Sequence, residues 1–301
     1  MPFAACQLVQ RIKSFDFLRE NSYNTSKVSS KNPVPAKVVC LFDVDNTLLD
    51  NDHVISDLHR YLEREVGLRR AQHYWDIFEL LRAEQDYADY LGALQRYRRE
   101  YPHELNLLTV SRFLINYPFA NRLFPNSLDA VEQAKKWGTV ALLTDGDVVF
   151  QPHKVDRSGL CEAVEGKVLI YVHKEKELAD VERRCPASHY VMVDDKLRIL
   201  SAMKASWGPR LTTVFVRQGH YALDPALVAK YPAADITLER IGDFVGCDLH
   251  RLLTRARAKS ARMGAKTAPP ADELAGKSLL GRGRDGAHLP ARQAGGGLPR
   301  S

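Results

Sequence analysis

The sequence predicts an α/β fold: a Rossmann-like, doubly wound parallel sheet core with an inserted all-α cap domain. Three observations predict it. Apolar runs without polar alternation, of the kind buried on both faces of a parallel sheet, recur along the chain. Helical patterns separate them, which is the βα rhythm of such a sheet. A stretch of about seventy residues, Asn51 to Asn121, has helical periodicity and no strand candidate.

The first strand lies in KVVCLFDVDNTLLD (37–50), whose apolar run is Val38, Val39, Cys40, Leu41 and Phe42. A helix over 54–66 follows, with Leu58, Leu62 and Val66 in one stripe and Gly67 ending it. A second helix is expected over 74–81, and a third carries Tyr87, Tyr90, Leu91, Leu94 and Tyr97 before Pro102. A fourth covers 105–117. The rhythm resumes with a helix over 128–137 and a strand over 139–143 that runs into Thr144-Asp145-Gly146-Asp147. A helix over 148–158, a short strand over 167–172 and a helix over 176–184 come next. The strand 190–193 ends at Asp194-Asp195, followed by a helix over 199–207 and strands over 212–216 and 235–238.

These elements divide the chain into an N-terminal extension and linker (1–36), a core domain (37–50 and 122–248), the helical cap (51–121) and a basic, disordered tail (249–301). The charge supports the last boundary. The whole chain of 301 residues carries +6, yet residues 251–301 hold eleven Lys or Arg against three Asp or Glu, so residues 1–250 sum to −2. A nearly neutral core gives no licence for a nucleic-acid reading of it, and the tail is expected to be solvated, with contact of its arginines with RNA or membrane lipids a lesser alternative. Five scattered cysteines with no CxxC pair argue against a disulfide framework and suit a reducing cytoplasm. No apolar run is long enough for a membrane helix, and the first seventeen residues lack the pattern of a signal peptide.

Polar groups collect where the apolar strands end. Asp43 and Asp45 stand two apart after the first strand, Thr144 after the second, Asp194 and Asp195 after a third. Lys174 lies thirty residues after Thr144 and twenty-one before Asp195. The C-terminal ends of parallel strands are where open α/β sheets carry their sites. Adjacent acids repel, so a cation must share the site, and a divalent metal is the simplest one. A phosphoryl-transfer site needs this inventory of nucleophile, proton donor, hydroxyl, ammonium and metal-holding carboxylates.

In these residues the chain resembles the haloacid dehalogenase superfamily, in particular its phosphatases with a helical cap between the first and second motifs. Its DxDxT motif stands here as Asp43-Val44-Asp45-Asn46-Thr47, its second motif as VALLTDGD with Thr144, its third as Lys174 and its fourth as VMVDD with Asp194 and Asp195. The resemblance implies Asp43 as nucleophile, forming an aspartyl-phosphate, and Asp45 as general acid and then base. It implies Mg2+ held by Asp43, the Asp45 carbonyl, Asp195 and Asp194, with Thr144, the backbone at Asp145 and Lys174 on the phosphoryl oxygens. The sequence departs from many relatives in carrying Arg198 and Ile199 where a further Asp follows the acidic pair. Asp147 is a lesser candidate ligand, Lys154 is expected on the surface of the next helix, and His173 is expected beside the site or on the surface.

The implied activity is Mg2+-dependent hydrolysis of a small phosphorylated metabolite. A phosphomutase uses the same two aspartates, and a non-catalytic binding protein retaining the fold is the third alternative. Dehalogenases of the superfamily lack the second aspartate. Tyr74, Trp75, Arg82 and Tyr90 of the cap are candidates to meet the substrate, with most aromatics packing inside the cap.

Overall fold

The computed structural model describes residues 36–85, 87–248 and 250–254. The expected N-terminal extension and most of the basic tail lie outside them. Six strands, β1 (Ala36–Phe42), β2 (Thr139–Asp145), β3 (Val168–Tyr171), β4 (Ala187–Asp194), β5 (Leu211–Val216) and β6 (Ile236–Leu238), form one parallel sheet in the order β3-β2-β1-β4-β5-β6. The order reverses direction between β1 and β4, the place where doubly wound sheets open a crevice beyond the strand ends.

The expected strands are all present. Alternate residues of each strand enter different cores, as a period of two requires. Cys40, Phe42, Leu142 and Val193 face one layer, with Ala130, Val131 and Phe244 packed on it. Val39, Leu41, Leu143 and Met192 face the other, covered by Val181, Ile199, Leu200 and Met203.

Four helices make up the insert that follows β1: α1 (Asn51–Val66), α2 (Leu68–Gln85), α3 (Tyr90–Glu100) and α4 (Leu107–Asn116). Asp50 caps α1 by accepting from His53 N at 3.0 Å, and Val54, Leu58 and Leu62 form its buried stripe. The second helix is longer than the expected 74–81. Its first turn, Leu68-Arg69-Arg70, is exposed and so adds nothing to the apolar stripe that marks the rest. Asp89 caps α3 by accepting from Gly92 N, so the helix starts at Tyr90, three residues later than the tyrosine spacing suggested. The chain leaves and re-enters the sheet region through one short ribbon. Leu49 bridges Leu123 in antiparallel sense, Asp50 N donates to Arg122 O at 2.7 Å and Phe124 N to Leu48 O at 2.9 Å.

Around the sheet run α5 (Ser127–Lys135), α6 (Phe150–Arg157), α7 (Leu160–Ala163), α8 (Leu178–Arg184), α9 (Leu197–Trp207), α10 (Gly219–Leu223) and α11 (Pro225–Val228). Helix α6 begins at Phe150 because Asp147 Oδ1 accepts from the N–H groups of Val149 and Phe150, at 2.8 and 2.6 Å. Helices α7, α10 and α11 were not foreseen, being too short to show a period. Order also runs past the expected boundary at 249: residues 250–254 are helical, Asp248 accepts from Arg251 N and Leu252 is buried. No described helix is long and apolar enough to cross a membrane.

Candidate active site

The register of β1 on β4 pairs Phe42 with Val193, so Asp43 and Asp194 emerge side by side, with Asp43 N donating to Val193 O at 2.9 Å. Lys174, in the turn after β3, brings its ammonium to 2.6 Å from Asp43 Oδ1, 2.7 Å from Asp194 Oδ2 and 3.2 Å from Leu143 O. The turn is fixed from below, since Asp145 Oδ1 accepts from Lys174 N at 2.8 Å. Thr47 Oγ1 donates to Asp43 Oδ2 at 3.3 Å and accepts from Asp195 N at 3.1 Å, tying the first aspartate to the acidic pair.

Carboxylate oxygens of Asp43, Asp194 and Asp195 come within 4.8 Å of one another, all three residues buried. Both oxygens of Asp195 are buried without a hydrogen-bond donor. Such orphans are costly, and a cation held between these acids would satisfy them, so the donor set fits a hard divalent metal. Burial pushes Asp194 up to about 6, although Lys174 opposes the rise, and pushes Asp195 well above the usual carboxylate range. Burial works against the charge of Lys174, but Asp194, Asp43 and Asp145 outweigh it and hold the ammonium above its ordinary value. Asp195 and Asp43 do the same for Lys196.

Asp45 stands apart from this cluster. Its side chain is 23 % exposed, toward the cavity, and is gripped from behind by Lys154, whose Nζ lies 2.8 and 2.9 Å from its two oxygens. Lys154 is therefore not the surface residue expected. It is buried, on the same face of α6 as Phe150 and Val155. Thr144 accepts from Gln151 Nε2 at 3.0 Å. Asp147 is engaged at the start of α6 and is absent from the acidic cluster.

Two turns shape the floor. Asn46 adopts a left-handed conformation (φ 59°), held by Asp52, which accepts from Asn46 Nδ2 at 2.9 Å and donates its N–H to Asn46 Oδ1 at 3.1 Å. Gly219 (φ 71°) presses against it, and a Cβ there would lie 2.5 Å from that of Asn46. His220 Nδ1 lies 2.7 Å from Asp52 Oδ1, which adds the start of α10 to the clasp.

A cavity of about 760 Å³ opens above Asp45 between the strand ends and the inserted helices. Trp75, Arg82 and Tyr90 line it, as does His173, and Arg82 donates to Tyr221 OH at 2.6 Å across it. Tyr74 does not reach the cavity. It is buried inside the insert with its hydroxyl on Tyr90 O at 2.9 Å. Arg198, at the place of the further Asp of many relatives, instead lies 2.6 Å from Glu175.

Sequence reasoning missed Lys154, Gln151 and Lys196. Phe150, Gln151, Lys154 and Val155 share one helix face, a pattern that could have marked Lys154 as buried. Lys196 directly follows the acidic pair but carries no spacing signal of its own.

A family model described as haloacid dehalogenase-like hydrolase matches residues 38–206. No curated protein matches the chain. Among solved structures, a haloacid dehalogenase-like hydrolase from Burkholderia xenovorans LB400 is 59 % identical, with a TM-score of 0.68, over 71 % of this chain and 100 % of that one. A haloacid dehalogenase-like family hydrolase from Xanthomonas campestris is 16 % identical, with a TM-score of 0.53, over 76 % and 97 %. An L-2-haloacid dehalogenase from Xanthobacter autotrophicus, with chloropropionic acid covalently bound, is 17 % identical, with a TM-score of 0.47, over 69 % and 96 %.

Proposed function

Because the chain belongs to the haloacid dehalogenase-like hydrolases, we propose that it is a Mg2+-dependent phosphatase acting on a small organic phosphate monoester. The observation that carries this reading is the division of labour at the end of β1. Asp43 is buried among cations and acids, and Asp45, two residues on, faces the cavity. A hydrolysis that needs only a carboxylate nucleophile has no use for the second one.

In the first step an Asp43 oxygen attacks phosphorus, the ester P–O bond breaks, and Asp45 gives the leaving oxygen its proton. In the second, Asp45 takes a proton from water as that water attacks the aspartyl-phosphate. Inorganic phosphate leaves and Asp43 is restored. Thr144 would donate to an equatorial oxygen, and Lys174, whose ammonium already meets Asp43, Asp194 and Leu143 O, would supply positive charge beside it. Asp43, Asp194, Asp195 and the Asp45 carbonyl would hold Mg2+. Five carboxylates (Asp43, Asp45, Asp145, Asp194, Asp195) meet three ammonium groups (Lys154, Lys174, Lys196), a formal deficit equal to one divalent cation. When bound, that ion would neutralise charge on the phosphoryl oxygens.

Residues 51–121 serve as a cap over a core formed by 37–50 and 122–248, and the cavity between them receives the organic half of the ester. The scattered cysteines, with no CxxC pair, favour a reducing, cytoplasmic setting.

The test is a panel of phosphorylated metabolites and an aryl phosphate, with and without Mg2+, for the wild type and Asp43→Asn. Phosphate release that needs Mg2+ and disappears in the folded variant is the expected result. Isomerised phosphate ester without phosphate release would instead identify a mutase. Halide release from 2-haloacids with no action on esters would identify a dehalogenase.

A further inference from the structure

Helix α6 reaches the site at two positions one turn apart. Lys154 has 1 % of its side chain exposed, and its ammonium meets the two oxygens of Asp45 and Asn51 Oδ1, the last at 2.9 Å. Three N–H protons meet three acceptors, so none remains for a substrate. Three residues earlier, buried Gln151 donates to Thr144 Oγ1 at 3.0 Å and lies 3.4 Å from Asp45 Oδ2. Residues three apart share a helix face, so one face of α6 grips both residues that the cavity-side chemistry requires.

The fold alone does not call for either contact. Burying a lysine costs desolvation and side-chain entropy, and an apolar residue would fill the slot beside Phe150 and Val155 without that cost. The turn after β2 is bare where Gln151 passes. A Cβ on Gly146 would lie 2.6 Å from Gln151 Cβ and Cγ. With Gln151 donating to its oxygen, the Thr144 hydroxyl spends its own proton on a long contact, 3.4 Å, to Asp145 O, which a phosphoryl oxygen could replace.

We propose that Lys154 and Gln151 are positioning residues, Lys154 aiming the Asp45 carboxyl at the leaving-group oxygen and Gln151 turning the Thr144 hydroxyl toward a phosphoryl oxygen. The inference rests on the phosphatase reading. Neither residue touches the substrate, and each acts through a partner that does.

The two roles leave different kinetic marks. A nitroaryl oxyanion departs without a proton, whereas an alkoxide needs one. Single-turnover release of the alcohol is therefore compared for a nitroaryl phosphate and an alkyl phosphate in Mg2+. Lys154→Gln is expected to slow the alkyl ester about 10- to 100-fold, with KM little changed, and to leave the first aryl turnover within about threefold. Asp45→Asn/Lys154→Gln is expected to be no slower than Asp45→Asn alone, since the two residues act as one unit. Gln151→Ala is expected to slow both esters equally, by about tenfold, because the phosphoryl group is common to both. Asn51→Ala removes one acceptor of Lys154 and is expected to show the alkyl bias more weakly. It decides the question should Lys154→Gln not fold.

Equal slowing of both esters by the Lys154 and Asn51 variants, a gain on the alkyl ester, or additive losses in the double variant overturns the role of Lys154. A leaving-group bias in Gln151→Ala overturns that of Gln151. A wild type inert toward both esters refutes the phosphatase reading and the proposal with it, whereas an active wild type with unbiased variants refutes the proposal alone.

Discussion

Replacing Lys174 by Met keeps most of the stem and removes the charge that balances the acidic cluster. In the wild type that charge stands 2.6 Å from Asp43 and 2.7 Å from Asp194. Without it Asp43 and Asp194 lose the ammonium they share, in a cluster of three buried carboxyls whose oxygens lie within 4.8 Å of one another and which keeps only Lys196. Removing one partner of a buried ion pair costs about 3–5 kcal/mol. For a folded unit of about 150–250 residues each kcal/mol moves Tm by about 2–4 °C, so Tm should fall by about 6–20 °C. Circular dichroism melts in chelator at pH 8 measure it. The deficit should shrink in Mg2+, which takes over the counter-ion role. It should also shrink toward pH 5. A carboxyl whose folded pKa is raised, as that of Asp194 is to about 6, favours the folded state at low pH and loses that contribution as pH rises through the folded value. A fall of under about 3 °C in chelator at pH 8 would refute the account of Lys174 as the cluster's counter-ion.

Mg2+ at about a hundred times its Kd should stabilise the wild type by about 2.7 kcal/mol, and Asp195→Asn should remove most of that Tm shift in the same melts. Gly219→Ala forces a Cβ against Asn46 at positive φ and should cost about 1–3 kcal/mol, read by urea titration; an unchanged midpoint would deny the close approach. In the insert, Tyr117, Arg60 and Arg122 hold Asp57 down at about 2 against the pull of burial. A depressed carboxyl stabilises above its unfolded pKa and loses this as pH falls. The stability gap between wild type and Asp57→Asn, about 1 kcal/mol after solvent screening, should therefore close between about pH 4 and pH 2.

The sheet was legible because β1, β2, β4 and β5 are buried on both faces, and hydropathy records that directly. Asp43, Asp45, Lys174, Asp194 and Asp195 were legible because each stands at or after a strand end, where the parallel sheet itself aligns them. Lys154 was not. A lysine in the helical segment FQPHKVDR reads as solvated, since nothing local says that Asp45, 109 positions earlier, will occupy the space above it. Helices α7, α10 and α11 were lost for another reason: four or five residues cannot display a period of 3.6.

The ribbon that joins Leu49 to Leu123 straps together the two backbone crossings of the inserted helices. Adding a residue to either crossing would shear that strap out of register. Asn51 sits just beyond that strap with its amide oxygen on Lys154, so on the phosphatase reading a displacement of α1 would pull on the same thread that aims the proton donor.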